Sequence, residues 1–135
     1  MIAVVLVALA FPAGNEVQRL WDLSIENRRR ADWMACEVEI MRRYPAKAVA
    51  QSERNLSDAR TLAERAERLR TSGAVQEAKK WRDLAAIMRH QSAENLANAE
   101  LARRCEDYWS RLKLRYDRAA IYPFLPLPPD PPLPK

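Results

Sequence analysis

The sequence predicts an all-α protein: a long antiparallel helical hairpin, preceded by an apolar segment and followed by a proline-rich tail. Three observations lead there. Apolar or small residues recur with the 3.5-residue period of coiled coils through two long stretches. A single glycine, Gly73, separates those stretches. From Pro123 onward, seven of thirteen residues are proline, so the chain there can only be polyproline II or irregular coil. At 135 residues the chain is one domain at most, and its alanine, arginine, leucine and glutamate content suits helices rather than sheet. The expected division is 1–14 apolar segment, 15–120 hairpin with its turn at 71–73, and 121–135 tail.

Met1 to Ala13 is apolar without interruption. As a helix it rises only about 20 Å, short of the ~30 Å hydrocarbon core. Three readings compete. A signal peptide would use Ala8-Leu9-Ala10 as its cleavage site but lacks a basic head. A buried core helix is the second, and the later half of a membrane anchor that begins upstream of Met1 is the third.

Gly14-Asn15 with Gln18 three residues on predicts a capping-box start at Asn15. The seam then runs Val17, Leu20, Ser24, Asn27, Ala31, Met34, Val38, Met41, Pro45, Ala48, Ser52, Asn55, Ala59, Leu62, Ala66 and Leu69. Its phase survives Pro45, which predicts a kink or brief break there. Thr71-Ser72-Gly73 stops the helix, with Gly73 free to turn left-handed. The second seam begins at Ala74 and continues through Ala78, Trp81, Ala85, Met88, Ser92, Asn95, Ala99, Ala102, Glu106, Trp109, Lys113 and Tyr116.

Folding at Gly73 sets small against large, with Ala66 opposite Trp81 and Ala31 opposite Tyr116. It also pairs polar layers, Asn55 with Ser92 and Ser52 with Asn95, which fixes register at some cost in stability. One arm from Asn15 to Gly73 would be roughly 85 Å long if straight. A three-helix bundle, folded at Pro45 as well, is the alternative.

Trp33, Ile40, Leu101 and Tyr108 sit outside the seam, at c positions and at matching heights. A cluster of large apolar residues at one level marks a contact site, for a third helix, a second copy or another protein. Tyr122, Phe124 and Leu125 follow the second helix and are expected to pack back on the hairpin, turning the tail into a strap. The tail's overlapping P-x-x-P spacings, such as Pro123/Pro126 and Pro131/Pro134, also suit grooves that read polyproline II, although Lys135 is misplaced for them.

Catalytic chemistry finds no constellation. His90 has no second ligand at i+3 or i+4, and Cys36 and Cys105 fall off the seam and read as free thiols. No C-x-x-C, H-E-x-x-H, Walker or G-x-S-x-G motif occurs. The chain therefore reads as a non-enzyme with no cofactor and no metal. The net charge of +5 comes from 23 basic and 18 acidic residues that interleave along the helices, which argues against nucleic acid as a partner. The alternative, a soluble basic regulatory or nucleic-acid-associated protein, would use Arg28, Arg29, Arg30, Arg42 and Arg43.

The stretch Leu112 to Pro132 carries Arg115-Tyr116-Asp117-Arg118-Ala119-Ala120, then Pro123-Phe124-Leu125-Pro126, then a P-D-P-P run. It resembles the C-terminal end of a family of short, uncharacterised planctomycete proteins. Phe124 stands where that pattern has tryptophan, and the likeness is loose outside this stretch. The resemblance implies a single membrane-spanning helix at the N-terminus, with Met1 an internal methionine of it, and hence a bacterial membrane protein. It implies no activity. Membrane-anchored scaffold or interaction protein is the resulting expectation, with a homo-oligomer or a protein as partner. Arg19 and Arg28 to Arg30 just after the apolar run favour a cytoplasmic hairpin.

Overall fold

A computed structural model describes the backbone of residues 2–135 and the side chains of residues 14–135. Two helices, α1 (Ile2–Thr71) and α2 (Val75–Ile121), pack as an antiparallel hairpin, with no strand among the described residues. The anchor expected over 1–14 falls almost wholly on side chains outside the described residues. Among the described residues, no helix is long and apolar enough to cross a membrane.

The chain divides into two compact units: Met1–Glu39 with Glu106–Leu133, and Ile40–Cys105 with Pro134–Lys135. The second contains the turn. Gly73 there has φ 87°, a left-handed conformation that an L side chain takes only under strain. Its N–H donates to the Arg70 carbonyl at 3.2 Å while the Ala74 N–H donates to the Leu69 carbonyl at 3.0 Å. That crossed pair is the Schellman stop, and it satisfies carbonyls that the helix end would orphan. Thr71 and Ser72 hydroxyls donate to the carbonyls of Arg68 and Leu69, closing the same turn. Arg70 also grips Glu67 at 2.6 Å, and that hydrogen bond lowers the Glu67 carboxyl's pKa.

Between the turn and Pro45, the buried seam is mostly alanine: Ala48, Ala59 and Ala66 of α1, and Ala78, Ala85, Ala99 and Ala102 of α2. Each buried methyl contributes only about 0.8 kcal/mol, so the helices gain stability by close approach over many turns rather than from any one residue. The larger seam residue Trp81 is half-buried and takes the Arg65 guanidinium over its ring at 4.1 Å. In the polar layer the hydroxyls of Ser52 and Ser92 meet at 2.6 Å, both side chains buried. Asn55 instead takes its hydrogen bond from Gln51, at 3.0 Å, on its own helix. The pairing is thus Ser52 with Ser92, not the predicted Asn with Ser. Two short hydroxyls can meet directly across a gap this narrow, whereas an amide finds its partner along the helix.

In the first unit, Ala31 and Met34 of α1 pack with Leu112 and Tyr116 of α2, and Tyr108 and Trp109 lie against them. Ala31 faces Tyr116 as the seam predicts. Leu112, 2% exposed, is the largest fully buried side chain, and its burial is worth about 1.5–3 kcal/mol. The Ser24 hydroxyl donates to the Ala120 carbonyl at 2.6 Å, close to the end of α2.

Two local expectations are corrected. Asn15 does not start a helix: Gly14 to Gln18 lie inside α1, and the Gln18 amide donates forward to Asp22 at 3.0 Å instead of back to Asn15. Gly14 keeps a negative φ, so nothing interrupts the helix there. Nor does the chain fold at Pro45, which α1 carries in its interior with the ring buried. Pro45 removes one backbone hydrogen bond, but breaking the helix would forfeit the seam on either side. The three-helix alternative is therefore excluded.

Two substitutions test this part. Gly73→Ala forces a Cβ into the left-handed region and should lower stability by about 1 kcal/mol, read from chemical denaturation. Ser52→Ala should cost about 1 kcal/mol because the Ser92 hydroxyl stays buried with its partner gone. Ser52→Ala with Ser92→Ala should then cost less than the two single changes summed.

Candidate functional site

The c-position residues separate into the two units. In the first, the edge of Trp33 meets Trp109, with centroids 5.2 Å apart and planes at 85°. Tyr108 meets the same indole at 5.0 Å and 77°. Trp109, a seam residue, therefore ties Trp33 of α1 to Tyr108 of α2 in an aromatic trio whose edge-to-face contacts each add about 0.5–1.5 kcal/mol. Trp33 nevertheless stays 54% exposed. In the second unit, Ile40 is 56% exposed, and Leu101 helps line an open cleft of about 320 Å³ with Met41, Tyr44 and Cys105. Cys36 is exposed and Cys105 half-buried, and both are free thiols. His90 is largely exposed and pairs with Glu94, at 3.3 Å, one turn along α2.

The tail meets α2 in a way the sequence does not announce. After Ile121 a turn closes with the Leu125 N–H donating to the Tyr122 carbonyl at 3.1 Å. Prolines have no N–H, so along its proline run the tail offers mainly acceptors and the helix supplies the donors. It does so. Arg115 donates to the carbonyls of Pro128 and Pro129, and the Tyr108 hydroxyl to that of Pro131 at 2.9 Å. In the second unit, Arg104 donates to the Lys135 carbonyl at 2.9 Å.

Asp130 is the only acidic residue of the tail, and it sits where charge matters. The Tyr116 hydroxyl donates to its carboxylate at 3.1 Å, and Arg115 lies 3.8 Å away. The same hydroxyl accepts from Arg30 of α1 at 3.3 Å, with the guanidinium 5.6 Å from the ring centroid. Tyr116 and Glu26 together hold the Arg30 guanidinium charged beyond its usual range, the tyrosine bond being the larger cause. A hydroxyl on a side chain only 3% exposed thus joins three segments: α1, α2 and the tail.

Tyr122, Phe124 and Leu125 do not form the expected apolar clasp. All three are exposed, Phe124 at 66%, and Tyr122 packs edge-on to Phe124 with centroids 6.1 Å apart. Hydrogen bonds further along the tail hold it instead, since the turn at Tyr122–Leu125 carries these side chains outward. Of the contacts that matter, Arg104, Arg115 and Asp130 were missed in the sequence. Asp130, a lone acid in an uncharged proline run, was the one signal available. Between Arg115, Arg118, Leu125 and Pro128 the tail leaves an open cleft of about 380 Å³. Among the described residues no group of histidine, cysteine, aspartate or glutamate side chains could hold a metal ion.

Tyr116→Phe keeps the ring in the core and deletes the shared hydroxyl, so stability should fall by about 1 kcal/mol. Combined with Asp130→Asn, the loss should be sub-additive by about 0.5 kcal/mol or more, measured as a double-mutant cycle. Comparison of the chain with protein-family models, with curated proteins and with solved structures returns no match.

Proposed function

We propose that this chain is a membrane-anchored helical scaffold without catalytic activity, which binds a second copy or another helical protein through the outer face of its hairpin. One observation carries the partner reading. Trp33 and Ile40 are more than half exposed on a two-helix fold, where no further helix among the described residues covers them. Large apolar residues left this exposed outside an alanine seam gain their full burial only from a partner.

The anchoring half of the proposal is supported by the apolar run Met1 to Ala13 and by the resemblance of the tail to the planctomycete family. On this reading the protein is a single-pass bacterial membrane protein, and the arginines after the apolar run favour a cytoplasmic hairpin. The tail serves as a strap held by the donors of α2 and by Asp130.

The nucleic-acid alternative is weaker, because arginines that it needs are engaged within the chain. Arg28 pairs with Asp117 at 3.5 Å and Arg30 with Glu26 at 2.5 Å, while Arg42 and Arg43 have interactions of their own.

Two measurements test the proposal. After cell fractionation the protein should stay in the alkali-washed membrane pellet; a soluble, salt-sensitive complex with DNA or RNA would overturn the anchoring. Chemical crosslinking in mild detergent should trap a dimer or a discrete hetero-complex. Trp33→Ser and Ile40→Ser, tested separately, should each weaken that product while helical circular dichroism is retained, and a product undiminished in both would remove these residues as the contact.

A further inference from the structure

At the open end of the first unit, the two helices stop at different heights. Ser24 of α1 reaches the Ala120 carbonyl, and α2 ends at Ile121. Residues 14–23 of α1 therefore continue past the last turn of α2, about 15 Å of helix that no second helix flanks. Of its large side chains, Val17 and Trp21 are bare, the latter 65% exposed, while Leu23 is 37% exposed and Leu20 half-buried. From the other chain direction, Ile121, Tyr122 and Phe124 arrive at the same end, also exposed. The edge-on Tyr122–Phe124 pair presents its rings outward.

Large apolar side chains are exposed elsewhere as well, Val75 at 63% and Leu114 at 68% among them, so exposure alone does not mark this end and its occupant must be read from what adjoins it. The sequence supplies the candidate, since Val17 and Trp21 follow directly on the apolar run Met1 to Ala13. We propose that this end face seats in the headgroup layer of an anionic phospholipid bilayer, with Trp21, Tyr122 and Phe124 as interfacial side chains and Arg29 and Arg118 paired with lipid phosphates. The inference rests on the anchoring reading above and specifies the surface that meets the lipid.

Along α1 the exposed Val17 and Trp21 precede Arg28 and Arg29, with the ion-paired Glu16 and Arg19 between the apolar run and Trp21. Trp21 and Tyr122 carry a polar handle on an apolar ring, and guanidinium groups on long stems reach the same headgroup depth. Arg29 lines an open cleft of about 240 Å³ with Trp21, Ser24, Ile25 and Arg28. Arg118 lines the cleft beneath Leu125 and Pro126. Of the acidic side chains at this end, Glu16 pairs with Arg19 at 3.1 Å, Glu26 with Arg30, and Asp117 with Arg28 and Lys113, while Asp22 keeps its charge beside the neutral Gln18 amide. Basic side chains next to an apolar interface attract anionic lipid in particular, each contributing about a fivefold preference.

The test uses the full chain reconstituted into vesicles of phosphatidylcholine, with or without phosphatidylglycerol, whose acyl chains are brominated near the headgroup end. Tryptophan fluorescence should be quenched, more strongly with phosphatidylglycerol. Trp21→Phe, at an exposed position, should remove most of that quenching while helical circular dichroism is unchanged. Arg29→Gln with Arg118→Gln should erase the difference between the two lipid mixtures. A chain that resists alkali extraction but shows the same quenching with and without Trp21 overturns this inference and leaves the anchor standing. Crosslinks through Phe124 that join two copies, with Trp21 unquenched, would assign the face to a second copy and overturn it too. A chain extracted by alkali overturns the anchor and this inference together.

Discussion

Close contact through alanine is the constraint on which the rest of this structure depends. From Ala48 to Ala102 most of the buried side chains where the two helices meet end at Cβ, which lets the backbones approach but gives little shape to hold them in register. A smooth seam can slide. Register must then come from the few positions that are not alanine, and here they lie at intervals along the hairpin. The Schellman turn at Gly73 fixes the connection, the Ser52–Ser92 hydroxyls fix the middle, and Tyr116 with Leu112 fixes the packing near the open end. Each uses a different chemistry: a left-handed glycine, a buried hydroxyl pair, and large side chains set into an alanine gap.

The same constraint explains where the large residues went. A seam this tight has room for few of them, so Trp33 and Ile40 stand outside it and Trp109 bridges its edge. They are the features a partner could use. The tail responds to the other half of the problem, which is that proline offers carbonyls and no donors. α2 answers with Tyr108, Arg115 and Arg104, and Tyr116 lends its hydroxyl to Asp130 while accepting from Arg30. A single tyrosine near the open end therefore couples the core, the first helix and the tail.

Much of the hairpin was legible in the sequence, because the seam is a periodic signal repeated over many turns. The predicted positions from Leu20 onward in α1 and from Ala74 onward in α2 are all buried or half-buried, and Ala31 meets Tyr116 as expected. Single-residue signals did worse. Asn15 and Gln18 spell a cap, yet a cap is worth about 1 kcal/mol and the helix runs through it. Pro45 allows a kink or brief break, and only the three-helix alternative needs a fold there; α1 runs through it, because the seam on both sides outweighs one lost hydrogen bond. The candidate site was legible as a set of exposed residues but not as contacts. Carbonyl acceptors leave no mark in a sequence, so Arg104 and Arg115 looked like ordinary surface charges, and Tyr122, Phe124 and Leu125 looked like the clasp.

The central claim is that the alanine seam holds one register, set in its middle by Ser52 against Ser92. Pulsed electron-spin resonance between nitroxide labels at the exposed positions Gln51 and Gln91, in a background with Cys36 and Cys105 replaced by serine, measures it most directly. One narrow, short distance is expected, because the neighbouring serines touch. A slip of one heptad would move the labels about 10 Å along the axis. A broad distribution, or a second population displaced by that much, would contradict a single register.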